Sequence, residues 1–420
     1  MASSKALQQE IASLLLYQSV FSDPIGQAFL NLLETLQSPK TNPLSCLKAY
    51  GKWFQLLAAR EQSWQDYLIQ QILEDDNPFS QLVQKRTLPD LPPALLAATK
   101  EDLQALQSVY NCSGQQLSLW VKEVAASAKQ PVTWQGRNET KTCLHQQENW
   151  TDSLTELASY YRQYGTGLLG KYRALNWQQD NLVGIANPDP TNLNSLVGYE
   201  SQKEALLKNT EFLLNGYNAL HVLLYGSRGS GKSSLVKGLL QKYGDRGLRL
   251  VEVSKSQLQD LSLIVEKLRP LPQKFIIFVD DLSFEEDDDA FKALKVVLEG
   301  SVTARANNVA VYATSNRRHL IREFFADRPR PRDNDEVHAW DTMQEKLSFS
   351  DRFGLTLTFE PANQDTYLTI VNHLAKQAAI KLSSEELEYH AKQWATRHNG
   401  RSGRTARQFI DFLQADLATG

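Results

Sequence analysis

Gly226-Ser227-Arg228-Gly229-Ser230-Gly231-Lys232-Ser233 satisfies G-x-x-x-x-G-K-[ST] at every fixed position. Glycines at those places let backbone amides close around phosphate oxygens, and a helix opening at Lys232 turns its positive N-terminal end toward the same anion. Lys232 then reaches the β- and γ-phosphates, Ser233 offers its hydroxyl to Mg²⁺, and Ser234 completes the segment. Downstream, Phe275-Ile276-Ile277-Phe278-Val279-Asp280-Asp281 is an apolar strand ending in two carboxylates. With a phosphate loop upstream, Asp280 is suited to hold the metal, directly or through water, and Asp281 to polarise an attacking water. A third apolar run, Val309-Ala310-Val311-Tyr312-Ala313-Thr314-Ser315-Asn316, ends in small polar residues, and the Asn316 amide is suited to hold that water. The chemistry these groups share is that of ATP with Mg²⁺.

Such groups have to be carried by a sheet. From residue 193 onward, short β-rich runs alternate with helical stretches: His221 to Tyr225, Arg249 to Val253, Phe275 to Val279, Val309 to Thr314 and Leu355 to Phe359. Five runs separated by helices predict a five-stranded parallel sheet with crossover helices. After the fifth, helices are expected from Tyr367 to Ala379, from a capping box at Ser383 and Glu386 through Trp394, and from Thr405 to Ala418. Ahead of the sheet the pattern is helical: Leu7, Ile11, Leu14 and Leu15, then Phe29, Leu30, Leu33 and Leu36, then Leu47, Tyr50, Trp53, Phe54 and Leu57 each trace one helical face. Six of the eight tryptophans (Trp53, Trp64, Trp120, Trp134, Trp150, Trp177) lie in or beside this module and read first as core packing. Two prolines and polar turn formers in Ile185-Ala186-Asn187-Pro188-Asp189-Pro190-Thr191-Asn192 mark a linker. The expected organisation is an all-α N-terminal domain over 1–185, an α/β nucleotide-binding domain over 193–362 and a helical lid over 363–420.

Length and composition set bounds on this reading. A chain of 420 residues with 42% hydrophobic and 22% charged residues has room for two or three domains with real cores. The net charge of −3 provides no overall polycationic field, so any nucleic-acid contact must come from a local patch. No apolar run is long enough for a membrane span, the first ten residues lack the apolar segment of a signal peptide, and three widely spaced cysteines (Cys46, Cys112, Cys143) suit a reducing compartment. A cytoplasmic protein without a membrane partner is expected.

In combination these motifs resemble the AAA+ ATPase superfamily over residues 193–420. In that resemblance Leu196-Val197-Gly198-Tyr199-Glu200 is the segment that packs on the adenine, with Val197 and Gly198 at the base. Asp280 and Asp281 correspond to Walker B and Asn316 to sensor 1. Arg352, in Ser350-Asp351-Arg352-Phe353-Gly354, corresponds to the arginine finger that acts on a neighbour's nucleotide, and Arg404 to sensor 2, with Arg407 one turn further as its competitor. More narrowly, Asp280 to Glu285 with Ala313 to Leu320 is similar to a prokaryotic group of predicted AAA+ ATPases of unassigned role. Most AAA+ members carry Glu where this chain has Asp281, which leaves Glu285 or Glu286 as alternative contributors to the base.

The resemblance implies an ATP-hydrolysing homo-oligomer that remodels a protein or protein–nucleic-acid complex, its partner chosen by the helical N-terminal domain. An alternative is a nucleotide-gated DNA-binding or scaffold protein of the initiator or loader type. Arg317, Arg318, Arg322, Arg328, Arg330 and Arg332 suit either nucleic-acid phosphates or a contact between subunits, and both readings stand. A threading unfoldase is disfavoured, because Ser254 to Leu261 carries no aromatic residue and no glycine. A small-molecule kinase lacks a visible substrate-hydroxyl signature.

Overall fold

The structure is a computed structural model and describes residues 3–37, 43–136, 142–283, 289–299, 306–316, 352–398 and 400–419. The chain divides into two compact units, Met1–Lys171 and Tyr172–Gly420.

The first unit is helical: α1 (Ser4–Ala12), α2 (Pro24–Gln37), α3 (Pro43–Ala59), α4 (Trp64–Glu74), α5 (Pro78–Val83), α6 (Pro93–Asn111), α7 (Gly114–Val124), α8 (Cys143–Gln146), α9 (Leu154–Tyr164) and α10 (Gly167–Lys171). Local chemistry sets several starts. Ser63 caps α4 by accepting from the Asp66 amide, and Asn77 and Ser80 form a reciprocal capping box ahead of α5, with Pro78 in its first turn. The tryptophans pack as expected: the Trp64 ring lies 4.2 Å from Phe29 and 5.7 Å from Trp53, and Trp150 is buried. One helical face differs from expectation. Helix α1 ends at Ala12, so Leu14 is buried while Leu15 is exposed. The chain turns there because the buried Asp102 carboxylate accepts the amides of Leu15, Leu16 and Tyr17, at 2.7 to 3.2 Å.

The second unit holds β1 (Ala174–Gln178), β2 (Asn181–Ile185), α11 (Glu200–Leu214), β3 (Val222–Gly226), α12 (Lys232–Tyr243), β4 (Leu248–Glu252), α13 (Leu261–Leu268), β5 (Lys274–Val279), α14 (Asp289–Glu299), β6 (Val309–Ser315), β7 (Leu355–Phe359), α15 (Gln364–Gln377), α16 (Ser384–Arg397) and α17 (Gly403–Thr419). Its sheet has the order β2-β1-β4-β5-β6-β3-β7, parallel throughout except for the antiparallel β1–β2 pair. The five expected strands are β3 to β7. The count is nonetheless seven rather than five, because β1 and β2 form a hairpin whose first strand pairs with β4. Its turn, Gln179-Asp180, places both residues at positive φ (47° and 60°), the backbone of a tight hairpin without the glycine that usually announces one.

This hairpin also moves the division between the units. The expected boundary lay at the proline-containing segment after Ile185, with the first domain ending at 185. Because β1 is hydrogen-bonded into the sheet, 172–185 belong with the second unit and 185–192 are a connection inside it. Helices α15, α16 and α17 close on their own core of Tyr367, Val371, Leu374, Leu387, Ala391, Phe409 and Ile410, and Ser383 and Glu386 form the capping box read from the sequence.

No described helix is long and apolar enough to cross a membrane.

Candidate functional site

The segment between β3 and α12 folds as a loop that only glycine accommodates at its first position. Gly226 has φ +137°, and a Cβ there would stand 2.0 Å from the Phe359 carbonyl oxygen. That close approach lets the Ser227 amide donate to Phe359 at 2.9 Å, which seats the loop on the end of β7. Gly229, at φ +76°, packs against the start of α17: its carbonyl accepts the Arg404 amide at 3.0 Å, and a Cβ would stand 2.9 Å from Ser402 Oγ.

Lys232 opens α12 with its side chain buried. Its Nζ donates to the carbonyls of Gly226 (3.0 Å) and Ser227 (2.8 Å) and lies 3.4 Å from Asn316 Oδ1. Burial pulls the ammonium below the ordinary lysine range, and the charges of Asp280 and Asp281 oppose that shift. Next in the helix, Ser233 Oγ donates to Asp280 Oδ1 at 2.6 Å, so the two expected metal-holding groups meet. The two come from α12 and from the end of β5. At the end of the neighbouring β6, Asn316 Nδ2 donates to Asp281 Oδ1 at 2.6 Å. Asp280, Asp281, Asn316, Lys232 and Ser233 therefore form one hydrogen-bonded set.

Asp281 has φ +51°. Asp and Asn enter this left-handed region more readily than longer side chains, because a short polar group bonds locally to the backbone. The conformation gives a physical reason for Asp at this position in place of the Glu that the resemblance leads one to expect.

All of these groups except the Gly226 and Ser227 turn line one cavity of about 620 Å³, within the range of small-molecule sites. Its polar wall is Arg228 to Ser234 with Asp280, Asp281, Thr314 and Asn316; its apolar wall is Leu196, Val197, Phe359, Ile370 and Leu374; Lys203, Arg404 and Arg407 add cations. Val197 lies where the sequence places it. Gly198 does not line the cavity: its φ of +94° turns the chain against Thr366 and Ile370 and so presents Val197 to the wall. Both lid arginines, Arg404 and Arg407, face the cavity. Arg352 does not; its guanidinium pairs with Glu299 at the end of α14. Glu285, Glu286 and the arginine stretch Arg317 to Arg332 lie outside the described residues.

The donor set fits a magnesium nucleotide. A hydroxyl and a carboxylate in contact are the hard oxygen ligands Mg²⁺ takes, usually alongside substrate phosphates, and a buried ammonium beside left-handed glycines suits the phosphates themselves. An apolar wall facing this polar one offers a surface for a base.

Sequence reasoning missed several lining residues. Lys203 on α11, Phe359 at the end of β7, and Ile370 and Leu374 on α15 join the cavity through the packing of separate elements. Thr314 was legible only as a small polar residue near a strand end. In the structure its hydroxyl donates to Asp280 Oδ1 and accepts the Asp281 amide at 3.0 Å.

Residues 170–417 match the family described as "Protein of unknown function (DUF815)", a span that begins two residues before the second unit. No curated protein matches the chain. Among solved structures, the Holliday junction branch migration motor RuvB of Thermotoga maritima is similar at 14% identity, over 53% of this chain and 72% of that chain, with a TM-score of 0.33. A DNA replication initiation factor is similar at 15% identity, over 55% of this chain and 65% of that chain, with a TM-score of 0.35. A P-loop between β3 and α12, paired carboxylates ending β5, an asparagine after β6 and a helical lid bringing arginines to the same cavity give the arrangement that the sequence motifs led one to expect, and by its match over residues 170–417 the chain belongs to the DUF815 family.

Proposed function

We propose that this protein binds ATP with Mg²⁺ in the cavity between the sheet and its lid and hydrolyses it, acting as an oligomeric ATPase that remodels a protein or protein–nucleic-acid complex. The observation that carries the reading is the meeting of the Ser233–Asp280 and Asn316–Asp281 pairs around the buried Lys232.

Each group has a task that follows from its position. Lys232 exchanges two backbone carbonyls for phosphate oxygens, a stronger charge-assisted bond. Ser233 and Asp280, in contact at 2.6 Å, would hold the metal, whose charge would offset negative charge on the phosphates. Asp281 takes a proton from the attacking water, and Asn316 fixes the orientation of that carboxylate through its 2.6 Å bond. Arg404 and Arg407 bring positive charge from the lid to the same cavity, while Arg352, outside it and paired with Glu299, would have to exchange that partner to act on a neighbouring copy's nucleotide. The N-terminal helical unit selects the partner.

The test is nucleotide affinity and turnover in wild type and Lys232→Ala, with circular dichroism as the folding control. Loss of ATP binding in a folded variant supports the reading. Wild-type affinity in Lys232→Ala overturns it. The arginine stretch of the sequence favours a second reading, a nucleotide-gated DNA-binding protein. A steep fall of DNA affinity with salt would support that reading, and absence of binding to single-stranded and duplex DNA would remove it.

A further inference from the structure

Asp280 Oδ1 accepts three protein donors: Ser233 Oγ at 2.6 Å, the Asp281 amide at 3.2 Å, and the Thr314 hydroxyl. Thr314 is 2% exposed on β6, between β5 and β3, and does more than donate. Its oxygen accepts the Asp281 amide at 3.0 Å, and its carbonyl accepts the Leu282 amide at 2.7 Å. One side chain and its own backbone thus fix three consecutive residues at the exit of β5, including Asp281 in its left-handed conformation. Such a conformation costs energy and persists only where surrounding bonds over-determine it. A hydroxyl is the group required, since it must donate to a carboxylate and accept from an amide at once.

We infer that Thr314 is a positioning residue that orients both carboxylates of the site, setting Asp280 for the metal and Asp281 for water. The inference rests on the proposed ATPase reading and deepens it. Groups that hydrogen-bond a metal-holding carboxylate tune metal affinity or activity by about 10- to 100-fold. The hydroxyl, and not the volume of the side chain, carries the effect.

The experiment compares wild type, Thr314→Val and Thr314→Ser. Valine keeps the shape and removes the hydroxyl; serine keeps the hydroxyl and removes the methyl. Mn²⁺ affinity is read by electron paramagnetic resonance with ADP present, alongside kcat, KM for ATP and thermal unfolding. The expected result for Thr314→Val is a fall of about 10- to 100-fold in Mn²⁺ affinity and in kcat, with KM little changed and an unfolding transition that stays cooperative and falls only as far as the loss of one buried hydroxyl requires. Thr314→Ser should recover most of both. Wild-type Mn²⁺ affinity and kcat in Thr314→Val overturn the inference while the ATPase reading stands. Equal impairment in the serine and valine variants, accompanied by lower stability, also overturns it, because packing would then be the cause. A wild-type protein that neither binds Mn²⁺ with ADP nor turns over ATP removes the ATPase reading and this inference with it.

Discussion

Replacing Asp281 with Asn separates chemistry from binding at this site. The substitution is unusually clean in its geometry: Asn tolerates φ +51° as Asp does, and its amide oxygen still accepts the Asn316 Nδ2 bond now made at 2.6 Å. What is lost is the negative charge and the capacity to take a proton from water. A positioned general base contributes about 10²- to 10⁴-fold, so kcat should fall by that factor, equivalent to about 3–5 kcal/mol in the barrier. ATP affinity should not fall, because the P-loop and Lys232 remain and one carboxylate near the phosphates has been neutralised. The assay is phosphate release at saturating ATP and Mg²⁺, paired with equilibrium binding of a fluorescent nucleotide. Unchanged turnover would refute Asp281 as the base and direct attention to Glu285 or Glu286. A parallel loss of turnover and affinity would refute the separation itself and assign Asp281 a structural role.

Arg352→Ala should bind ATP normally and hydrolyse it poorly, since charge from a finger matters most in the transition state; Glu299→Gln, which removes only the pairing partner, should keep turnover. Mixing Arg352→Ala with Lys232→Ala, once subunit exchange is verified by labelling, should restore part of the activity, and no recovery at any ratio would place Arg352 outside a neighbour's site. Tyr312→Phe tests the sheet: the buried phenol, pushed up to about 12 by burial, bonds Asn209 Nδ2 and Thr210 Oγ1, each at 3.0 Å. Its loss should cost about 1–2 kcal/mol and lower the unfolding temperature by about 2–8 °C without changing ATP affinity; an unchanged transition would refute that cost.

Local rules made much of this protein legible. The spacing of Gly226, Gly231, Lys232 and Ser233 is set by phosphate geometry, so the motif carried its own chemistry before any fold was known. Strands β5 and β6 read as apolar runs because they are buried on both faces, β7 at the sheet edge reads as an alternation of apolar residues with exposed threonines, and the Ser383–Glu386 capping box is a bond among neighbours in sequence. Tertiary structure decided the rest. The β1–β2 hairpin escaped because its turn uses Gln179 and Asp180 at positive φ, and only its pairing with β4 shows that 172–185 belong to the sheet. The bend at Leu14 to Tyr17 depends on Asp102, which stands 85 residues or more away along the chain. Thr314 gained its role from the register that brings the end of β6 beside Asp280 and Asp281, and Ile370, Leu374 and Arg407 reach the cavity only when the lid packs. Motifs record contacts made within a few residues; contacts between separate elements depend on distances that the order of residues does not contain.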